Sequence, residues 1–572
     1  VKILVVGSSA REHALAWRLS AGASPAEVTV VPGNPGIARD YRCVSGEVTP
    51  DLLERESPDL VVVGPAAPLV AGLADEVRRL GIPVVGPPAE AARLGGSKTA
   101  AKEMMVRHGI PTPPFRSCSD TDQALAAVDD LGIPVVVKAD GLTRGSGVTV
   151  CTSRDAAEIA IDGALRQRRF GAAGERVVIE KHLRGDGVSL TVLVDESGYL
   201  LMPVARSYEQ AGEGGQGPNT SGMGAIIPNP AVSPGIIQSI EDLIIKPSIE
   251  AIHQEAAPGA GAYRGFLHFG LILSDDGPQM VDYKIRFGDP EAQVTLPLLE
   301  GDFAGLLLGL AQGRLMEAAR ESSFGVRSGA ACSVVAVAAG YPGPSSPGEF
   351  LHDQRGGDEA RQGTSMVFFH EVQEEGAGLS TAGGRVLTVS AVAGDPDEAR
   401  LRAYQRMLQL SFRGITFRRD IGGDPVISRV MEEGDVFLPQ FSKRGGLLPV
   451  VVQEVESGDI LMVAYANDEA LEETLTSRRA AFWSTSRNRL WIKGETSGDT
   501  LTVEEVRVDC DQDALLYRVR LNGQGVCHTR QADGAHRRRC FYRSVKERRE
   551  LSFSDGPHEA PHHGSESGGC CS

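Results

Sequence analysis

Short β-branched runs in the first hundred residues stop repeatedly at glycine–proline loops, and this rhythm restricts the fold more than any other feature. Lys2–Gly7, Val28–Val31, Leu60–Val63 and Val84–Val85 are buried-strand candidates, and Glu12–Leu19 reads as the helix after the first. PGNPG at Pro32–Gly36, GPAAP at Gly64–Pro68 and GPP at Gly86–Pro88 follow the other three. A β-loop-α succession predicts a parallel sheet with ligand loops at the carboxyl ends of its strands.

From Ser97 the pattern changes. The helix Lys98–His108 precedes strand candidates at Val135–Lys138, Val148–Cys151, Val177–Glu180, Thr191–Val194, Leu200–Val204 and Phe266–Leu273, which together predict an α+β module. Gly212–Gly224, rich in Gly with Pro, Asn and Thr, reads as a long loop. A third piece starts near Gly325, with strands at Ala331–Ala338, Met366–Glu371 and Arg385–Val392 and a helix at Pro396–Leu410. Turn-formers and charges around Gly422–Gly446 read as a linker. Leu447–Val455 opens a β-rich unit that reaches about Val545, and the polar remainder, ending HHGSESGGCCS, reads as disordered. At 572 residues several cores are needed.

The net charge of −17 argues against a general nucleic-acid or membrane-surface binder, because phosphate surfaces repel the average field. No apolar run approaches the roughly 20 residues that span a bilayer, and the opening VKILVVGSSAREHALAW lacks a signal peptide's layout. Nine scattered cysteines in so large a chain form no disulfide framework. A reducing cytoplasm is the expected setting.

Asp509-Cys510-Asp511-Gln512-Asp513 joins two strand-like runs, Leu501–Val508 and Ala514–Leu521. Regular extended backbone would send Asp509, Asp511 and Asp513 to one face and Cys510 to the other. Three carboxylates on one face are either fully solvated, as on many acidic edges, or neutralised by a hard cation such as Mg²⁺. Cys510, Cys527 and Cys540 are either core thiols or three ligands of a catalytic zinc with an open fourth position. Their spacing names no metal by itself.

The stretches LLPVVVQEVESGDILMVAYANDEALEETL, FWSTSRNRLWIKGETSGDT, VRVDCDQDALLYRV, and VCHTR followed by RRRCFYRS resemble phosphoribosyl-AMP cyclohydrolase from Leu447 to Arg543. The resemblance implies a homodimer with active sites between subunits, in which Cys510 of the partner subunit joins Cys527 and Cys540 around Zn²⁺. It also implies Mg²⁺ at Asp509, Asp511 and Asp513, and His528 as the proton-transfer group. The substrate is a small phosphoribosyl nucleotide, 1-(5-phosphoribosyl)-AMP. The resemblance implies that zinc, held by these cysteines, would activate water for attack on C6 of the N1-alkylated adenine, opening the C6–N1 bond in a step of histidine biosynthesis. Ser484, Ser486, Arg487, Trp491, Lys493, Thr496, Ser497 and Gly498 fall in the substrate-contacting stretch, where hydroxyls, amides and cations suit phosphates. Trp491 is either a base-stacking ring or a half-buried core indole, and Arg537–Arg539 are either phosphate contacts or a solvated face. One departure stands out: QADGAH lengthens the connection between Thr529 and Arg537, so the zinc arrangement requires the insertion to bulge outward.

Residues 1 to about 422 resemble phosphoribosylamine–glycine ligase, an ATP-grasp family, through GSSAREHALAW, VVPGNPGIA, GSKTAAKEMMVRHGIPT, VVVKADGL, GPNTSGMGA and RFGDPEAQVTLPLL. The two resemblances imply a multidomain α/β and α+β chain. A Rossmann-like pre-ATP-grasp domain covers 1–100, an ATP-grasp domain 101–324 and a small α+β domain 325–422. A linker at 423–446, the β-rich cyclohydrolase domain at 447–548 and a disordered tail at 549–572 follow. The ligase family joins 5-phosphoribosylamine to glycine through a glycyl phosphate, consuming ATP with Mg²⁺, in purine biosynthesis. Lys102 and Lys138 match its ATP-phosphate lysines; Pro218, Asn219, Thr220, Arg286 and Asp289 match its glycine-rich loop and RFGDPE motif.

Other positions depart from that pattern. Ser146 replaces the lysine of the phosphate loop, with Arg144 nearby as a substitute cation of different reach. Asp282 remains as a possible Mg²⁺ ligand, but Lys284 stands where an asparagine carbonyl is expected, and an ammonium has no lone pair to donate. Gly187 removes a carboxylate, Ala205–Gln210 replaces an SQDHKR run, Ala66 replaces a glutamate, and Ser8, Ser9 and Ala10 add side chains to the first glycine loop. The expected function is therefore the cyclohydrolase reaction, fused to a region of doubtful ligase activity. Two alternatives are a bifunctional enzyme and a non-catalytic nucleotide-sensing or assembly module.

Overall fold

The computed structural model describes every residue except 23–25, 144, 258, 260, 355–364, 425, 428–429, 431, 433–436, 438, 442–444, 532–533, 547–549 and 554–572. The chain divides into two compact units, Val1–Val426 and Ile427–Ser572.

In the first unit, strands Arg42–Cys43, Glu27–Pro32, Lys2–Gly7, Leu60–Val63 and Val84–Val85 form one parallel sheet in that order. Leu60–Val63 is buried along its whole length, as a strand covered on both faces must be. Chain order reverses about Lys2–Gly7, so the loops leaving its central strands open on one crevice. There the Gly33 N–H donates to the Gly7 carbonyl and the Gly64 N–H to the Val6 carbonyl, both at 3.0 Å.

Strands Phe115–Cys118, Val177–Lys181, Val135–Ala139 and Val148–Cys151 form an antiparallel sheet packed on helices Thr121–Leu131 and Arg154–Leu165. A second antiparallel sheet, ordered Gly198–Leu201, Asp186–Asp195, Gly265–Ser274 and Gly277–Lys284, buries its apolar face with Ala101, Met104 and Met105 of helix Lys98–Arg107.

Gly212–Gly224 is mostly hairpin, not loop: Arg206–Gly212 pairs with Gln216–Ile227. The turn takes Gly214 and Gly215 at φ +64° and +71°, while the Thr220 hydroxyl donates to the Glu209 carbonyl at 2.6 Å and pins the ladder. Composition suggested a loop because these residue types favour turns. Here Gly224 serves close strand approach, since a Cβ there would lie 2.6 Å from the Ser333 carbonyl oxygen. The ribbon continues into a sheet with Ala330–Val337, Arg385–Ala393 and Ser365–Phe369, so the third piece takes two strands from the middle of the chain.

In the second unit, strands Ile460–Ala466, Leu448–Glu454, Leu515–Leu521 and Leu501–Val508 form a mixed sheet in that order. Leu448, Val450 and Val452 alternate with half-buried neighbours and meet Leu461, Phe482 and Tyr517 in one core. Asn467 caps helix Asp468–Ser477 by accepting the Ala470 N–H at 2.9 Å. Much of the linker expected at 423–446 and most of the tail at 549–572 lie outside the described residues. Among the described residues, no helix is long and apolar enough to cross a membrane.

Candidate functional site

The acidic run of the second unit is a tight connection between Leu501–Val508 and Leu515–Leu521, not a continuous strand. Regular alternation therefore does not hold. Gln512 takes the left-handed conformation at φ +56°, and one Asp509 carboxylate oxygen accepts the N–H groups of Asp513 and Ala514 at 2.9 and 3.0 Å. This turn, rather than a pleat, gathers oxygens of Asp509, Asp511 and Asp513 within 4.8 Å of one another. The carboxylates fit a hard divalent cation. Cys510 is exposed on the same turn.

The Cys527 and Cys540 thiols lie in contact across the segment that carries the insertion. Described residues within it and on either side of it pair: Cys527 N–H donates to Arg537 O at 3.1 Å, Arg537 N–H to Thr529 O at 3.0 Å, and Gln531 N–H to Ala535 O at 2.8 Å. His536, which the sequence did not single out, shares a 2.8 Å hydrogen bond between its Nδ1 and the Cys527 carbonyl. The Cys540 N–H is anchored on the Leu461 carbonyl at 2.7 Å. Contact with the Cys540 thiol is the main force that drives the Cys527 thiol down to about 5; burial opposes it, while Thr529 and the charge of His528 add to it. Cys527 is buried and His528 exposed. Asp509, Asp511 and Asp513 are the only such ligand cluster among the described residues, so the three sulfurs do not converge within one chain.

The candidate substrate stretch lies on the hairpin Ala481–Ser484/Arg489–Ile492 and the loop after it. The buried Ser484 hydroxyl accepts the Arg487 N–H at 3.3 Å and lies 3.4 Å from the Ser486 hydroxyl. Lys493 is buried, and Thr496, Ser497 and Gly498 are exposed. Asp499, absent from the sequence-based candidates, is buried and accepts the Gln524 N–H at 3.1 Å, fastening this loop to the segment before Cys527. Trp491 is half-buried, its ring centroid 5.1 Å from that of Phe482 at 40°. The three arginines have protein partners: Arg537 lies over the Tyr542 ring at 4.3 Å, Arg538 pairs with Glu454 at 2.5 Å, and Arg539 with Asp459 at 2.9 Å.

In the first unit, Lys102 and Lys138 converge on Glu180, another residue not singled out from sequence. Lys138 Nζ lies 2.7 Å from one Glu180 oxygen, and Lys102 pairs with the other. Burial lowers Lys102 to about 8, with the Lys138 charge adding to that and the Glu180 charge resisting it. Lys98 lies 3.5 Å from Asp282. Burial alone would raise the Asp282 carboxyl, but Lys98, Lys138, Lys284 and Lys102 together hold it below the usual range. The adjoining loop turns inward: the Ser146 hydroxyl donates to the Thr143 carbonyl at 2.7 Å, and the Gly147 N–H to the Thr143 hydroxyl at 3.0 Å. Arg144, the substitute cation, lies outside the described residues.

Asp289 belongs to a second buried cluster. Arg385 holds both its oxygens at 3.1 and 2.9 Å, Gln293 donates to one at 2.8 Å, and the Ser9 hydroxyl donates to the other at 3.2 Å. Ser9 also lies 3.1 Å from His370 Nδ1, and burial pushes His370 down to about 3. Arg286 donates to the Phe287 carbonyl at 2.7 Å, and burial lowers it to about 10. The Asn219 side-chain amide donates to Glu209 at 3.3 Å. Arg385 and His370 lie far from Asp289 in sequence and carried no motif, so only the fold reveals them.

Residues 1–95, 96–292 and 331–424 match the families described as phosphoribosylglycinamide synthetase N domain, ATP-grasp (A) domain and C domain. Residues 462–542 match phosphoribosyl-AMP cyclohydrolase. Phosphoribosylamine–glycine ligase of Chlorobaculum tepidum is 40% identical over 437 residues, covering 74% of this chain and 99% of that protein. The ligase of Phenylobacterium zucineum is 40% identical over 430 residues, with coverage of 74% and 99%. The crystal structure of phosphoribosylamine–glycine ligase from Thermotoga maritima matches with a TM-score of 0.62 at 30% identity, covering 74% of this chain and all of that one (100%). The biotin carboxylase domain of Hydrogenobacter thermophilus 2-oxoglutarate carboxylase, at 16% identity and a TM-score of 0.55, shares the fold; the match covers 73% of this chain and 91% of that one.

Proposed function

Since the chain belongs through residues 1–424 to the phosphoribosylamine–glycine ligase family and carries a phosphoribosyl-AMP cyclohydrolase domain behind it, we propose that its working activity is hydrolytic opening of the C6–N1 bond of 1-(5-phosphoribosyl)-AMP. What carries this reading is the match of residues 462–542 to phosphoribosyl-AMP cyclohydrolase, with the Cys527 and Cys540 thiols in contact inside it. Two adjacent soft ligands fit zinc, and in a homodimer Cys510 of the partner subunit completes a three-thiolate set with an open position. When bound, zinc supplies Lewis acidity at that position. Asp509, Asp511 and Asp513 hold Mg²⁺.

His528, exposed beside Cys527, takes a proton from the attacking water and returns it to N1 as the C6–N1 bond breaks. Ser484, Ser486, Arg487, Lys493 and the loop Thr496–Gly498 bind the phosphoribosyl groups. The ligase-type region keeps its fold while glycinamide ribonucleotide synthesis has lapsed, because Lys284 and Ser146 replace groups on which metal and phosphate handling depend. The intact Lys102–Glu180–Lys138 and Asp289–Arg385 pairings favour a second reading, a bifunctional enzyme that also ligates phosphoribosylamine and glycine.

Parallel assays with phosphoribosyl-AMP, and with phosphoribosylamine, glycine and ATP, separate the two readings; robust glycinamide ribonucleotide formation sinks the first. Subunit sharing is tested by co-expressing Cys510→Ser and Cys527→Ser chains. Each alone is inactive, and random pairing restores about a quarter of wild-type activity, because half the dimers carry one intact site. No recovery in mixed dimers refutes a shared site.

A further inference from the structure

ATP-grasp domains bind ATP with Mg²⁺, yet the residues at the metal position of this chain do not fit a divalent cation. Asp282, the one carboxylate left there, faces Lys98 at 3.5 Å and feels the charges of Lys138, Lys284 and Lys102. A dication at Asp282 would meet the Lys98 ammonium at short range and the field of the other three, and Lys284 has no lone pair to offer it. Glu180 does not relieve the crowding, since its oxygens are committed to Lys102 and Lys138.

Lys284 differs from its three neighbours. Among the described residues its ammonium makes no ion pair within 4.0 Å, whereas Lys98, Lys102 and Lys138 each do. Beside it, buried His268 Nε2 and Glu291 Oε2 also lack hydrogen-bond partners. Burial would raise Glu291, but the Lys284 charge is the main force that holds it down, at about 2. The side chains of Lys98 and Asp282 are 17% and 32% exposed, so solvent and solutes reach the cluster. Four ammonium groups against Glu180, Asp282 and Glu291 leave an excess of positive charge that attracts an anion.

We infer that this cluster binds a nucleoside polyphosphate free of divalent metal, with the Lys98 and Lys284 ammonium groups taking the charge-compensating place of Mg²⁺. The inference rests on the reading that ligation here has lapsed, and it makes the region a nucleotide-binding site without phosphoryl transfer. Phosphate oxygens meet Lys284 and Lys98 directly, and Asp282 holds Lys98 rather than a metal.

The test is calorimetric titration of the full chain with ATP and with ADP, once in EDTA and once in millimolar MgCl₂. The expected affinities agree within about twofold, against the roughly 5–150-fold coupling typical of linked ligands. Lys284→Asn weakens binding in EDTA about tenfold, on the scale of one charge-assisted hydrogen bond, and introduces a gain in affinity with Mg²⁺. Lys98→Gln weakens binding in EDTA similarly and guards against a folding defect peculiar to position 284. Three outcomes overturn the inference: wild-type affinity rising more than about fivefold with Mg²⁺, no binding of either nucleotide, or folded lysine variants that bind like wild type. Glycinamide ribonucleotide, measured on the same preparation, reports separately on the lapsed-ligase reading: its formation refutes that reading, while the metal dependence of binding decides this one.

Discussion

Asp282 in the first unit and Cys527 in the second are both candidate metal ligands, and their surroundings differ in kind. Asp282 is ringed by ammonium groups, with Lys98 at 3.5 Å, so its environment already neutralises it. Cys527 has a second thiol for its neighbour and is held as a strong donor at about 5. Fixed charges compensate a buried carboxylate much as an ion does, because a buried charge needs compensation of some kind. Around Cys527, backbone hydrogen bonds join the described residues Cys527 and Thr529 to Arg537 across the insertion.

The sharpest way to break this contrast is Cys527→Ser. Ring opening falls by more than about 100-fold, beyond the roughly 10–100-fold expected for an outer-shell partner. Metal analysis records the loss of zinc, while melting of the first unit is unchanged. Full activity with zinc retained would place the chemistry elsewhere. Glu180→Gln strikes the other side. Removing the shared carboxylate leaves Lys102 and Lys138 buried together, at a cost of about 3–5 kcal/mol, read by calorimetry as earlier melting of the first unit alone. Because burial already lowers Lys102 to about 8, its loss of a proton at alkaline pH relieves part of the penalty. A variant that melts like wild type would show that the trio is not a stabilising element.

Acid sharpens the comparison further. Burial holds His268 and His370 neutral, each lowered to about 3 from an ordinary 6.5. Below about pH 6.5 the unfolded chain gains protons that the native first unit refuses, so stability falls as pH falls, by roughly 1.4 kcal/mol per unit for each histidine, until about pH 3. Glu291, depressed to about 2, adds loss in the same direction below its ordinary value of 4.5. Urea midpoints between pH 7 and 5 therefore drop for the first unit before the second. Parallel curves for both units would mean that these histidines accept protons in the native state.

What the sequence disclosed follows from how local each signal is. Glycine–proline loops after short strands foretold the parallel sheet, because strand period and turn chemistry are local. The gathering of Asp509, Asp511 and Asp513 was foretold for the wrong reason: alternation was assumed, while Gln512 in a left-handed turn brings the oxygens together. Gly212–Gly224 misled because the same residue types serve turns and close strand approach. Glu180, Arg385 and His370 stayed hidden, since each acquires its role only from a partner distant in sequence.

The smallest expected effect concerns Trp491, where core packing and substrate stacking make opposite forecasts. Its ring packs on Phe482 with centroids 5.1 Å apart, which assigns at least one face to the core. Trp491→Leu keeps an apolar side chain of smaller volume and removes the π-face. If the indole is a core residue, melting falls modestly, as for an imperfect hydrophobic swap of about 1–2 kcal/mol, and KM for phosphoribosyl-AMP stays within about twofold of wild type. Lost base stacking, worth about 1–3 kcal/mol, would instead raise KM at least about fivefold. We expect the first result, because a ring fixed against Phe482 gains rigidity from packing whether or not substrate is present. A KM shift without a melting shift would move Trp491 from the core to the substrate and show that this hairpin reads the base.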